Sequence, residues 1–204
     1  MRGGAVPKVK VCGITCPEDA QMAVQLGADA LGFIFAPSPR QIRPDEAREI
    51  TRTVPPFVKT VGVFVNESPP VVREIMAFCG LDLIQFHGEE SPEVCKEFMP
   101  RAIKAFRVRD GSVLPLIRPF QGRIRAALLD TFSHESRGGT GQIFDWDIAL
   151  TAKGMRIPVI LSGGLNPSNI REAIFKVGPF AVDVNSGIEK RPGKKRTRPG
   201  WKKK

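Results

Sequence analysis

A single-domain α/β fold, a (β/α)8 barrel of the TIM type, is what this sequence predicts, and three observations carry the prediction. Eight short strand-like runs recur along the 204 residues. Several are nearly continuous apolar stretches, the pattern of strands buried on both faces of a parallel sheet. The segments between them carry helical apolar stripes or turn residues. Eight βα repeats in series with right-handed crossovers close most simply into a barrel, with a doubly wound open sheet as the alternative. A hydrophobic content of 42% over this length suits one core and leaves no room for a second full domain.

Taken in order, the first strand spans residues 9–14, β-branched and apolar, and reaches Cys12-Gly13 where a turn begins. Thr15 to Glu18 spells a capping box for a helix with the stripe Ala20-Ala23-Val24-Gly27. Strands follow at 30–35 and 60–65, and Ser68-Pro69 opens a helix with the stripe Val72-Ile75-Met76-Cys79. The fourth strand, 83–87, precedes a helix start at Ser91-Pro92, and the fifth is 102–108. Residues 112–123 read as a short or irregular helix because Pro115, Pro119 and Gly122 interrupt them. Strands at 126–131, 158–162 and 180–185 complete the set, with a helix from Asn166-Pro167 carrying Ile170-Ala173-Ile174-Val177 between the last two.

Charge and cysteine usage narrow the function class. The formal net charge is +10, but nine basic residues against one acid lie between 189 and 204, so eight of those ten charges belong to that stretch. The barrel, residues 1–188, is close to neutral, and 189–204 reads as a basic, flexible tail; a nucleic-acid partner is not expected. No apolar run approaches the ~20 residues of a spanning helix and no signal peptide is evident, so the expected location is the cytoplasm and no membrane partner is expected. Cys12, Cys16, Cys79 and Cys95 form no CxxC pair, which argues against a disulfide framework or a metal site.

Chemistry is sought at the C-terminal ends of the strands, where barrel enzymes keep it. Cys12 stands at the first such end; as a base it would need surroundings that lower its thiol, and a buried structural cysteine is the alternative. Asp130 ends the apolar sixth strand, where burial would suit it to donate a proton, with a loop cap as the alternative. Arg40, after strand two, can grip a carboxylate with its planar fork. Gln85 and His87 end strand four, and a lone His there is commonly a hydrogen-bonded structural residue. Gly163 and Gly164 follow strand seven, while Asp183, Ser186 and Gly187 belong to the end of strand eight. Two adjacent glycine-bearing turns suit a phosphate cradle. Residues 136–141 have the composition of an active-site lid.

Together these segments resemble the phosphoribosylanthranilate isomerase family of tryptophan biosynthesis, from Val9 to about Lys195. The carrying motifs are Lys10-Val11-Cys12-Gly13-Ile14-Thr15, Gly62-Val63-Phe64-Val65-Asn66, Gln85-Phe86-His87-Gly88-Glu89, Leu128-Leu129-Asp130-Thr131, Ser162-Gly163-Gly164-Leu165-Asn166-Pro167 and Asp183-Val184-Asn185-Ser186-Gly187. The resemblance implies a (β/α)8 barrel performing an Amadori rearrangement of a phosphoribosyl substrate without cofactor. It implies Cys12 as general base, Asp130 as general acid, Arg40 on the anthranilate carboxylate, and Gly163, Gly164, Ser186 and Gly187 at the phosphate, with Gln85, His87 and Asp183 among the substrate-binding residues. The loop from Ala36 to Arg40 is about one residue shorter than is common in that family. Its members usually run past Pro192-Gly193-Lys194-Lys195 into a final helix, which Arg196 to Lys204 cannot supply. Self-association is expected if the faces around strand eight, with Phe180 and Val182, are left uncovered.

Overall fold

Residues 6–131 and 144–196 are described by the structure, a computed structural model. Eight parallel strands close in chain order: β1 (Lys8–Val11), β2 (Ala30–Ile34), β3 (Lys59–Phe64), β4 (Leu83–Phe86), β5 (Ala102–Val108), β6 (Ala126–Thr131), β7 (Val159–Leu161) and β8 (Ala181–Val184). β1 pairs with β8, Lys8 opposite Ala181 and Val11 opposite Val184, and that closure excludes the open sheet. The connections contain α1 (Pro17–Gln25), α2 (Pro44–Thr51), α3 (Pro69–Cys79), α4 (Pro92–Glu97), α5 (Val113–Ile117), α6 (Trp146–Lys153) and α7 (Ile170–Val177). The interrupted stretch after β5 is short, as its prolines require: α5 passes into a 3-10 turn at Arg118–Phe120. Among the described residues no helix is long and apolar enough to cross a membrane.

The period of two along a strand sorts the side chains into two cores. Val61, Ile103, Ala105, Ala126, Leu128, Ile160 and Ala181 fill the barrel interior. A larger layer between strands and helices includes Leu31, Phe33, Phe64, Phe86, Leu129, Leu161 and Val182. Continuing the inward set toward the C-terminal ends puts Lys10 and Cys12, Gln85 and His87, Asp130, and Asp183 on the inside. Polar residues therefore sit on top of an apolar plug.

Several local expectations change in the structure. β1 stops at Val11, and Cys12 lies just beyond it, although its N–H still donates to Val184 O at 2.9 Å. α1 has Cys16 at its N-cap with no side-chain cap, because the Thr15 hydroxyl donates instead to Gly193 O at 2.6 Å. Ser91 does cap α4, accepting from Val94 N–H. Asn166 spends its Oδ1 on Ser168 N–H in a tight turn, so α7 begins only at Ile170.

Among the described residues no α-helix follows β8. A 3-10 turn at Ser186–Ile188 leads into an antiparallel hairpin, β9 (Glu189–Arg191) and β10 (Lys194–Lys195). The first residues of the expected tail are thus packed on the barrel: Glu189 and Lys195 are buried, and Lys195 N–H donates to Asp19 Oδ2 at 2.9 Å. Val182 is fully buried in the outer layer, where Ala23, Ala173, Val177 and Ile188 also lie, whereas Phe180 is 58% exposed. Of the two strand-eight residues expected to be uncovered, only Phe180 is. The lid stretch 136–141 and residues 197–204 lie outside the described residues.

Candidate active site

The C-terminal mouth of the barrel gathers the polar residues that the strands turn inward. Cys12 is 4% exposed, and its Sγ faces the Cα of Gly32 on β2. A Cβ at Gly32 would lie 2.8 Å from that sulfur and 3.1 Å from Lys10 Cε, so the glycine makes the space the thiol occupies. Lys10, two residues earlier on the same face, hydrogen-bonds Asp183 Oδ1 at 3.0 Å and Gln85 Oε1 at 2.9 Å, and also engages Cys12. Burial works against the Lys10 charge, but Asp183 and Cys12 outweigh it and raise its pKa. Burial likewise pushes the Cys12 thiol up; Lys10 and Lys195 pull it back, and Asp183 adds to the rise. The surroundings of Cys12 therefore do not lower its thiol, because desolvation exceeds the help from the two ammonium groups.

On the opposite wall, Asp130 near the end of β6 meets His87 just past β4, with His87 Nε2 3.3 Å from Asp130 Oδ2. Both keep some exposure, with side chains 18% and 22% accessible. The turn holding His87 is braced from below: Glu90 accepts from the N–H groups of Asn66 and Gly88, and Lys104 donates to Gly88 O and Glu90. Gln85 and Asp183 lie in the floor of the mouth. Gln85 is 1% exposed and bridges Lys10 to His87, and Asp183 is committed to Lys10.

Arg40 is positioned by the β2–α2 connection, where its N–H donates to Ser38 Oγ. Its guanidinium does not stand free. Nε and Nη2 clasp the Glu189 carboxylate at 3.0 and 2.8 Å, and Lys195 Nζ takes the same carboxylate at 3.0 Å while also reaching Asn185 Oδ1 at 2.9 Å. Burial disfavours the Glu189 charge, yet the bonds from Arg40 and Lys195 hold its carboxyl below the usual range. Burial dominates at Lys195 and lowers its pKa despite Glu189. Two cations on one carboxylate leave a net positive corner beside Cys12. Sequence reasoning missed Lys10, Glu189 and Lys195; the available signals were a lysine in an apolar strand and the lone acid in a basic stretch.

The two glycine turns meet. After β7, Gly163 and Gly164 take φ of 83° and 64°, and a Cβ at Gly163 would lie 2.3 Å from the Thr131 backbone nitrogen. A Cβ at Gly187 would lie 2.1 Å from Leu165 O, so Ser186-Gly187 packs directly on the β7 turn. Asn166 and Asn169 side chains both donate to Gly164 O at 3.0 Å and fix that turn. Among the described residues no acceptor takes the backbone N–H of Gly163 or Gly164, which suits both to an incoming anion.

A family model described as N-(5'phosphoribosyl)anthranilate (PRA) isomerase matches residues 9–198. N-(5'-phosphoribosyl)anthranilate isomerase of Geobacter sulfurreducens is 52% identical over 189 residues, covering 92% of each chain. Among solved structures, phosphoribosyl anthranilate isomerase from Thermotoga maritima superposes with a TM-score of 0.88 at 44% identity, covering 94% of this chain and 93% of that one. A phosphoribosyl anthranilate isomerase in complex with reduced 1-(o-carboxyphenylamino)-1-deoxyribulose 5-phosphate gives 0.84 at 43% identity, with coverages of 94% and 93%.

Proposed function

The chain belongs to the phosphoribosylanthranilate isomerase family and has that isomerase activity in tryptophan biosynthesis, and from this premise we propose how its own residues divide the reaction. Asp130 protonates the furanose ring oxygen of N-(5-phosphoribosyl)anthranilate, and the ring opens to a Schiff base. Cys12, as thiolate, removes the proton from C2 of the sugar. The enolamine then takes a proton at C1 and loses its hydroxyl proton, giving the ketone of 1-(2-carboxyphenylamino)-1-deoxyribulose 5-phosphate. Every step is a proton transfer, which is work for positioned side chains.

The observation that carries this reading is the placement of Cys12 and Asp130 just past β1 and near the end of β6, three strands apart around one mouth. Acid and base then flank the sugar without neutralising each other. The substrate has two anionic ends. Arg40, with Lys195 beside it, takes the anthranilate carboxylate through the part of the guanidinium that Glu189 leaves open. The N–H groups of Gly163 and Gly164, with Ser186 and Gly187, take the phosphate. The hairpin of residues 189–195 occupies the place after β8 where a final helix would begin.

Fluorescence-monitored consumption of phosphoribosylanthranilate tests the assignment. Cys12→Ser and Asp130→Asn should each lower kcat by about 10²- to 10⁴-fold while product-analogue affinity stays within about threefold. Near-normal turnover in either variant removes that residue from the mechanism.

A further inference from the structure

The hydrogen-bonded chain in the floor of the mouth has a single consistent direction. A lysine ammonium only donates, so the Gln85 amide atom 2.9 Å from Lys10 Nζ is the carbonyl Oε1. The other arm of that amide, Nε2, only donates, and it lies 3.0 Å from His87 Nδ1. Nδ1 must therefore accept and carries no proton. The proton of the neutral ring sits on Nε2, the nitrogen 3.3 Å from Asp130 Oδ2.

We propose that Gln85, oriented by Lys10, is a positioning residue that holds His87 as the neutral Nε2–H tautomer, so that the ring donates to Asp130 as Asp130 passes its proton to the substrate. The opposite tautomer would present a bare Nε2 to Asp130. That nitrogen is a better base than a sugar ring oxygen and would take the proton the substrate needs. An imidazolium would require a donor at Nδ1, directly against the Gln85 amide hydrogens. With Nε2–H facing it, Asp130 finds no acceptor in the His87 ring, and the carboxylate it becomes is stabilised by the same hydrogen bond.

The charges facing His87 from neighbouring elements are consistent with this assignment. Asp130 approaches from β6, the Asp183 charge reaches the ring from β8, and Lys10 on β1 acts through Gln85. Lys104 on β5 and Glu90 in the loop of His87 are spent on each other and on Gly88. Lys10 is tied at once to Asp183, Gln85 and Cys12, so the amide cannot turn over without leaving a buried ammonium facing an NH₂ group.

The inference rests on Asp130 as general acid, and the test separates the two. Long-range 1H–15N correlation spectra of the full chain report ring tautomers directly, and a His87→Asn variant assigns the signals of the two histidines present. The neutral ring of His87 in the wild type should be protonated at Nε2 and bare at Nδ1. Gln85→Glu puts an acceptor at Nδ1 and keeps a partner for Lys10; it should charge the ring at pH 7 and lower kcat about tenfold with KM within about twofold. Lys10→Met should give mixed tautomers. A wild-type ring protonated at Nδ1 would overturn the proposal, as would Gln85→Glu that charges the ring without loss of kcat. Full turnover in Asp130→Asn with the predicted tautomer intact would sink the acid assignment while leaving the orientation of Gln85 standing.

Discussion

Cys12 faces two opposed demands: a base must be a thiolate, and a residue 4% exposed favours the thiol. With its thiol held above the ordinary value, the thiolate is a minor species at neutral pH and grows as pH rises. Turnover per free enzyme should therefore climb about tenfold per pH unit below that value, and Cys12 alkylation should climb in step. Parallel pH profiles of kcat/KM and of iodoacetamide labelling check this in a Cys16→Ser background; a flat profile from about pH 6 to 9 would contradict it. Cys79 and Cys95 do not interfere, since burial pushes their thiols up to about 11 and about 12. The places of Cys12 and Asp130 at strand ends were legible, and the family resemblance rather than position alone singled them out. The electrostatics of Cys12 was not legible, because Lys10, Asp183 and Lys195 come from both ends of the chain.

Among the elements, the strands were legible because a buried parallel strand writes a continuous apolar run. Helix starts were less so, since Thr15 and Asn166 had tertiary or turn partners competing for their side chains. The hairpin β9–β10 was read as tail because its dense charge looks like solvated chain. What pins it is Glu189 meeting Arg40 across 149 positions, a pairing with no local pattern. The sign of its pH dependence follows from the depressed Glu189 carboxyl. Its stabilisation is complete above the ordinary carboxylate value and is lost as pH falls through the lower folded value. Glu189→Gln leaves two buried cations without their anion and should lower stability by about 3 kcal/mol at pH 7. Urea unfolding at pH 7 should separate variant from wild type, and the two curves should converge in strong acid. An equal gap at both pH values would assign the loss to packing.

Across the whole molecule, the apolar surface left exposed is a matter of a few large side chains rather than an open flank. Phe175 on α7 is 91% exposed and Phe180 just before β8 is 58% exposed. Phe175→Lys with Phe180→Lys should shift sedimentation toward monomer at high concentration if those rings drive self-association; an unchanged distribution would place the contact elsewhere. Barrel closure has a further consequence for how the protein comes into being. β1 leaves the ribosome first and has only β2 to pair with until β8 follows, and Lys10 waits 173 residues for Asp183. The base is thus completed only when the final strand and hairpin have been translated. A nascent chain stalled before residue 181 carries Cys12 but lacks the pocket that burial and charge create around it, so its thiol is at that stage an ordinary, oxidisable one.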